Sequence, residues 1–212
     1  MDIIIDEVPN RKRISVSEKN GEATKLPSFT DRENVTGKVI INLNKTKKLE
    51  HTGIKIELVG LIENLQDKKN VSRFISLAKD LEPPGVLSTE ITNLPFSFSS
   101  VEKQYETYRG NNMQVRYLLR VTLSTKMRTF TYDQELGVIN PQPESVMSKE
   151  NEPIRLEVGI EDWLHLIFEI SRSKFQLKDC VSGHVVFKKV SIRLKSMEIQ
   201  LIKRETITSS II

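Results

Sequence analysis

In "GIKIELVGLIE", residues 53–63, apolar Ile54, Ile56, Leu58 and Ile62 alternate with charged Lys55, Glu57 and Glu63. Successive side chains of an extended chain point to opposite faces, so a period of two marks a strand with one buried and one solvated face. "MQVRYLLRVTL", residues 113–123, repeats the pattern on odd positions: Met113, Val115, Tyr117, Leu119, Val121 and Leu123 on one side, and Gln114, Arg116, Arg120 and Thr122 on the other. Wound as helices, both segments would spread their charges around the whole cylinder. They therefore demand sheets, and a one-sided sheet demands a second layer.

Further strands are predicted at Ile3 to Val8, Arg13 to Ser17, Val35 to Leu43, Pro95 to Phe98, Phe130 to Val138, Val181 to Lys189 and Ile192 to Lys203. They recur between Gly, Asn, Pro or charged turns, the pattern of antiparallel sheets packed as a sandwich. One segment differs. In "NVSRFISLAKDLEPPG" the apolar Val71, Phe74, Ile75, Ala78 and Leu81 follow helical spacing, with Asn70 placed to cap and Pro83-Pro84-Gly85 to stop. The spacing predicts one short helix lying over a sheet or covering an edge.

Residues 140–153, "NPQPESVMSKENEP", have no apolar period and read as a linker. The expected division is a first lobe at 1–140, a linker at 141–153 and the first part of a second lobe at 154–212. About 60 residues carrying long apolar strands bury only part of a core and expose strand edges, so this second lobe reads as incomplete and prone to self-association.

Composition narrows the function. The formal net charge of +4 comes from 32 basic and 28 acidic residues. The bases are dispersed except at Arg11-Lys12-Arg13 and Lys45–Lys48, with no aromatic interleaving, so no nucleic-acid partner is expected. No apolar run reaches the roughly 18 residues of a spanning helix. The start, "MDIIIDEVPNRKR", lacks a basic region followed by an apolar one, which leaves the cytosol as the expected compartment. Cys180 is the single cysteine and is expected to be a buried structural thiol. Motif spacings for zinc proteases, serine hydrolases, phosphate-binding loops and dinucleotide-binding turns are absent.

"PIRLEVGIEDWLHLIFEI", residues 153–170, places Glu161, Asp162 and His165 within five positions. An acid/base or metal cluster is one reading. The other follows from parity: Ile154, Leu156, Val158, Ile160, Leu164, Leu166, Phe168 and Ile170 are even and apolar, and a single strand of that length would span roughly 55 Å. The run must bend at Gly159 and Glu161-Asp162, and the neighbours Glu161 and Asp162 point apart. That leaves the strand itself, which follows a proline. Prolines favour edges, and an open edge accepts an extended peptide by strand addition. The candidate edge is Ile154, Arg155, Leu156, Glu157, Val158 and Gly159.

"LEHTGIKIELVGLIE" (49–63), "VEKQYETYRGNNMQVRYLLRVTL" (101–123), "EVGIEDWLHLIFE" (157–169), "KFQLKDCVSGHVVF" (174–187) and "SMEIQLIKRE" (196–205) closely resemble, in order, the vacuolar protein sorting protein 26 family, the arrestin-like subunits of the retromer cargo-sorting complex. The resemblance implies an all-β fold, an arrestin-like double β-sandwich, with no enzymatic activity and no cofactor. It implies as partners the helical-repeat retromer subunit, vacuolar protein sorting protein 35, whose binding region would lie after residue 212, together with sorting nexins and cytosolic tails of transmembrane cargo. The implied place is the cytosolic face of endosomes, with peripheral membrane association through the complex. It puts the first strand after the linker near the lobe junction, where sorting nexin and cargo meet, with Val158 as the apolar contact. A generic arrestin-domain adaptor is the alternative; its Pro-Pro-x-Tyr signature is lacking, since Gly85 follows Pro83-Pro84.

Overall fold

The two alternating segments pair with each other. In the computed structural model, which describes residues 1–6, 11–17, 21–43, 48–67, 70–140, 151–175 and 179–205, β6 (Gly53–Asn64) runs antiparallel to β11 (Met113–Ser124). The register sets Ile54 opposite Leu123, Ile56 opposite Val121 and Leu58 opposite Leu119. Cross-strand apolar pairs of this kind contribute about 0.2–1 kcal/mol each beyond alanine pairs.

The chain divides into two units, Met1–Asn140 with Glu205–Ile212, and Pro141–Arg204. In the first, β2 (Arg13–Ser17), β3 (Ala23–Phe29), β12 (Thr129–Val138), β11, β6 and β7 (Val71–Glu82) follow one another in a sheet, with β10 (Tyr108–Arg109) beside β11. A second sheet orders β1 (Asp2–Ile5), β4 (Val35–Asn42) and β9 (Ile91–Phe98). The inward residues of both meet in one core, Ile3, Val39, Ile41 and Phe96 from one side and Ile56, Leu58, Tyr117 and Val121 from the other. That is a sandwich. A separate ladder joins β5 (Leu49–His51) to β8 (Gly85–Leu87).

The all-β class holds, but the short helix does not. Val71–Glu82 is β7, paired along β6 for its whole length. Its helical spacing comes from two bulges. Gly60 pairs with Ile75 and Leu61 with Arg73, which leaves Phe74 as an extra residue; Ile54 pairs with Glu82 and Lys55 with Asp80, which leaves Leu81. Each bulge resets the alternation by one. Both extra residues are apolar, seven positions apart, and pack against the core. Pro83-Pro84 ends the strand in the place expected for the end of a helix.

Phe74 lies where Gly60 has no side chain. A Cβ at Gly60 would come within 2.6 Å of the Phe74 ring. The ring is held edge-on by Tyr105 and Tyr117, at centroid distances of 5.1 and 5.3 Å. Gly60→Ala is therefore expected to cost about 1–3 kcal/mol, the range for overpacking, in urea unfolding of the chain; an unchanged midpoint would show that the ring yields freely.

Lys103 is buried, and its ammonium donates to the carbonyl oxygens of Thr30 (3.1 Å), Glu33 (2.7 Å) and Val101 (3.1 Å). Burial pushes its pKa down, while Glu33 and Asp31 push it up. A second polar cluster occupies the outer face of the large sheet. Arg116 donates to Glu135 at 3.0 Å and reaches Glu63 at 3.5 Å, Arg109 also pairs with Glu135, and Gln114 donates to Glu63.

In the second unit, β13 (Ile154–Ile160), β14 (Leu164–Ile170) and β15 (Gly183–Val190) form one antiparallel sheet. The strand expected at Ile192 to Lys203 is absent. This segment has no sheet pairing, and Leu201 and Ile202 are exposed, so no ladder holds it extended. Cys180 is exposed rather than buried, because Val181 and Ser182 precede β15 instead of entering it. Residues 7 and 8 of the first expected strand, 141–150 of the linker and Lys45–Lys47 of the second basic cluster lie outside the described residues.

Candidate edge-strand site

β13 is built by the parity of its residues. It pairs with β14 in register, Ile154 opposite Ile170, Leu156 opposite Phe168, Val158 opposite Leu166 and Ile160 opposite Leu164. β14 continues the match into β15, with Phe168 opposite Val185 and Leu166 opposite Phe187. Residues directly opposite in an antiparallel ladder share a face. One face of this sheet is therefore apolar from strand to strand. Along β13 it is open: Leu156 and Ile160 are 57% and 58% exposed, Ile154 and Val158 43% and 44%.

Among the described residues β14 is the only strand bonded to β13, so the other side of its backbone is an unpaired edge. All six candidate residues, Ile154 to Gly159, are exposed. Gly159 lets the hairpin close, since a Cβ there would sit 3.1 Å from the carbonyl oxygen of Leu164. The bend expected after it is the turn at residues 161–163. Trp163 N–H donates to the Ile160 carbonyl at 3.1 Å, and Asp162 takes φ of 58°, a left-handed conformation that Asp tolerates better than most residues.

The opposite face carries charge. Arg155 donates to Glu157 at 2.8 Å and lies 3.8 Å from Glu169. His165 Nε2 is 3.4 Å from Glu157, and His184 Nε2 is 2.9 Å from Glu169. Hydrogen bonds from Arg155 and then His165 hold the Glu157 carboxyl below the usual carboxylate range. This network was not singled out in the sequence. Its signal was there in the alternation: Arg155, Glu157, His165 and Glu169 are all odd.

The acid/base cluster is not assembled. His165 turns to Glu157, and Asp162 pairs with Lys189 at 3.1 Å. Among the described residues no group of three His, Cys, Asp or Glu is placed to hold a metal, and no helix is long and apolar enough to cross a membrane. What the site offers is a backbone edge, with apolar side chains on one face and fixed charges on the other.

Comparison with known proteins bears on the whole chain. The family model of vacuolar protein sorting-associated protein 26 matches residues 1–211. The protein of that name from Dictyostelium discoideum is 45% identical over 206 residues, 95% of this chain and 57% of its own length. Vacuolar protein sorting-associated protein 26B from Homo sapiens is 42% identical over 209 residues, 97% of this chain and 60% of its own length. The chain thus spans less than two thirds of the length of these relatives. Among solved structures, the sporulation control protein Spo0M from Bacillus subtilis superposes with a TM-score of 0.43 at 11% identity, over 84% of this chain and 90% of that one. Identity above two fifths over nearly the whole chain, with a family model that matches residues 1–211, places the chain by its sequence: it belongs to the vacuolar protein sorting-associated protein 26 family.

Proposed function

We propose that the chain acts as a non-catalytic cargo-recognition and scaffold subunit of retromer, in protein transport from endosomes to the Golgi and the plasma membrane. Its partners in this reading are the helical-repeat subunit, sorting nexins and the cytosolic tails of transmembrane cargo. It works on the cytosolic face of endosomes, held there through the complex. Family membership supports the class of role. The observation that carries the mechanism is the open edge of β13, Ile154 to Gly159, with apolar side chains exposed beside it. An extended tail adds there as a further strand, its main chain providing affinity and Val158 with its neighbours selecting apolar side chains.

The test is capture of a recombinant sorting nexin, together with a cargo-tail peptide, on the immobilised chain. Val158→Asp puts a carboxylate where an apolar contact is required and is expected to weaken capture at least about tenfold, 1.4 kcal/mol. Val158 is exposed, so folding survives the change, as circular dichroism would verify. Equal capture by both proteins, or by neither, would sink the proposal.

A further inference from the structure

The basic run Arg11-Lys12-Arg13 has no part in the β13 edge, and it leads directly into a serine in "RKRISV", residues 11–16. Its three bases are used differently. Arg11 is committed to the first unit: its guanidinium lies 4.0 Å over the Phe29 ring, pairs with Glu33 at 2.8 Å and donates to the Ser28 carbonyl at 2.9 Å. Lys12 and Arg13 are exposed. Lys12 is anchored through its backbone, whose carbonyl accepts from the Ser28 N–H at 2.9 Å and hydroxyl at 2.7 Å.

β2 then alternates. Ile14 is half-buried and Val16 buried, whereas Arg13, Ser15 and Ser17 are exposed on the other face. In the ladder with β3, Ser15 stands opposite Lys25, which is also exposed. Among the described residues β3 is the only strand bonded to β2, so the other side of the β2 backbone is an open edge.

We propose that Ser15 is a phosphorylation site for a basophilic serine/threonine protein kinase. The substrate cleft of such an enzyme presents carboxylates to bases two and three residues before the acceptor. Here these are Arg13 and Lys12, and apolar Val16 follows the serine. The Ser15 hydroxyl oxygen attacks the γ-phosphorus of ATP. The Oγ–P bond forms as the bond from the bridging β-phosphate oxygen breaks, ADP leaves with the electron pair, and the hydroxyl proton passes to the kinase's carboxylate base. A five-residue edge strand with one neighbour opens locally at less cost than a central strand, which lets the segment enter the cleft. The hairpin also suits the product. A phosphate at residue 15 carries about −1.5 to −2 charges, and on the closed strand it shares its face with Arg13 and Lys25.

The test treats the full chain with the catalytic subunit of cyclic-AMP-dependent protein kinase, magnesium and ATP, followed by intact mass and peptide fragmentation. One phosphate is expected, on Ser15, and Ser15→Ala abolishes its incorporation. Lys12→Ala combined with Arg13→Ala, both at exposed side chains, is expected to lower kcat/KM at least about tenfold. A chain left unmodified overturns the proposal, as does a phosphate that lands on Ser17 or that still forms at the parental rate without the two bases. Phosphorus NMR reads the seat of the product. Its second ionisation is expected below the value of about 6 for phosphoserine, returning toward it in Lys25→Gln; equal titration in both proteins would overturn the seat beside Lys25. Ser15 lies in the first unit and β13 in the second, so Val158→Asp leaves phosphorylation unchanged and the two tests fail separately.

Discussion

Replacing Lys103 with methionine is expected to lower the stability of the first unit by about 1.5–3 kcal/mol, the range for hydrogen bonds to a charged group. The three ammonium hydrogens of Lys103 meet three carbonyl oxygens, of Thr30, Glu33 and Val101. Methionine follows the lysine side chain as far as Cε and lacks only the terminal nitrogen, so the loss reads the hydrogen bonds of that nitrogen more than the packing of the stem. It strands acceptors on the Thr30–Glu33 turn and on the segment that follows β9. That turn is also tied by Asp31, whose carboxylate accepts the Lys103 backbone N–H at 2.8 Å. Lys103→Arg keeps the charge, but its planar fork cannot direct three bonds to three separate carbonyls. It is expected to be destabilising too, and by less. Urea unfolding of the three proteins measures both values; a methionine variant within 1 kcal/mol of the parent would show that solvent satisfies these carbonyls.

Lys103 also marks the limit of what the sequence makes legible. Alternation identifies β6 and β11 because each keeps one parity through the sandwich, and their inward sets, Ile54 to Leu58 and Val115 to Leu123, are buried. It fails at β7 for a definite reason. Two bulges placed Phe74 and Leu81 out of step, and the resulting apolar spacing imitates a helix. A lysine in "VEKQYE" carries no periodic signal at all, since its burial depends on carbonyls about 70 residues away in sequence. The hairpin of β13 and β14 was readable from even positions alone, because seventeen residues cannot remain one strand. The segment after Ile192 shows the converse: apolar residues propose a strand, but only a partner backbone can make one.

The second large effect is alkaline. Tyr117 is fully buried, its hydroxyl donates to the Tyr105 carbonyl at 2.6 Å, and it accepts from the Tyr105 N–H at 3.3 Å. Burial disfavours the phenolate and pushes its pKa up to about 12 from the ordinary 10.0. Between those values the unfolded chain has released the proton and the native chain still holds it, so stability falls as pH rises. The loss is about 1 kcal/mol by pH 11 and approaches about 3 kcal/mol above pH 12. Other groups titrate in the same range, and Tyr117→Phe isolates this one. At pH 8 the phenylalanine variant is expected to be less stable by about 1–2 kcal/mol, the worth of a buried hydrogen bond and the carbonyl it leaves unpaired. That deficit shrinks through pH 10 and 11 and reverses near pH 12, where the native phenol has become a liability. Urea titrations of both proteins at pH 8, 10 and 11 read the difference. Parallel curves across that interval would mean that Tyr117 ionises in the folded sheet as readily as in the unfolded chain.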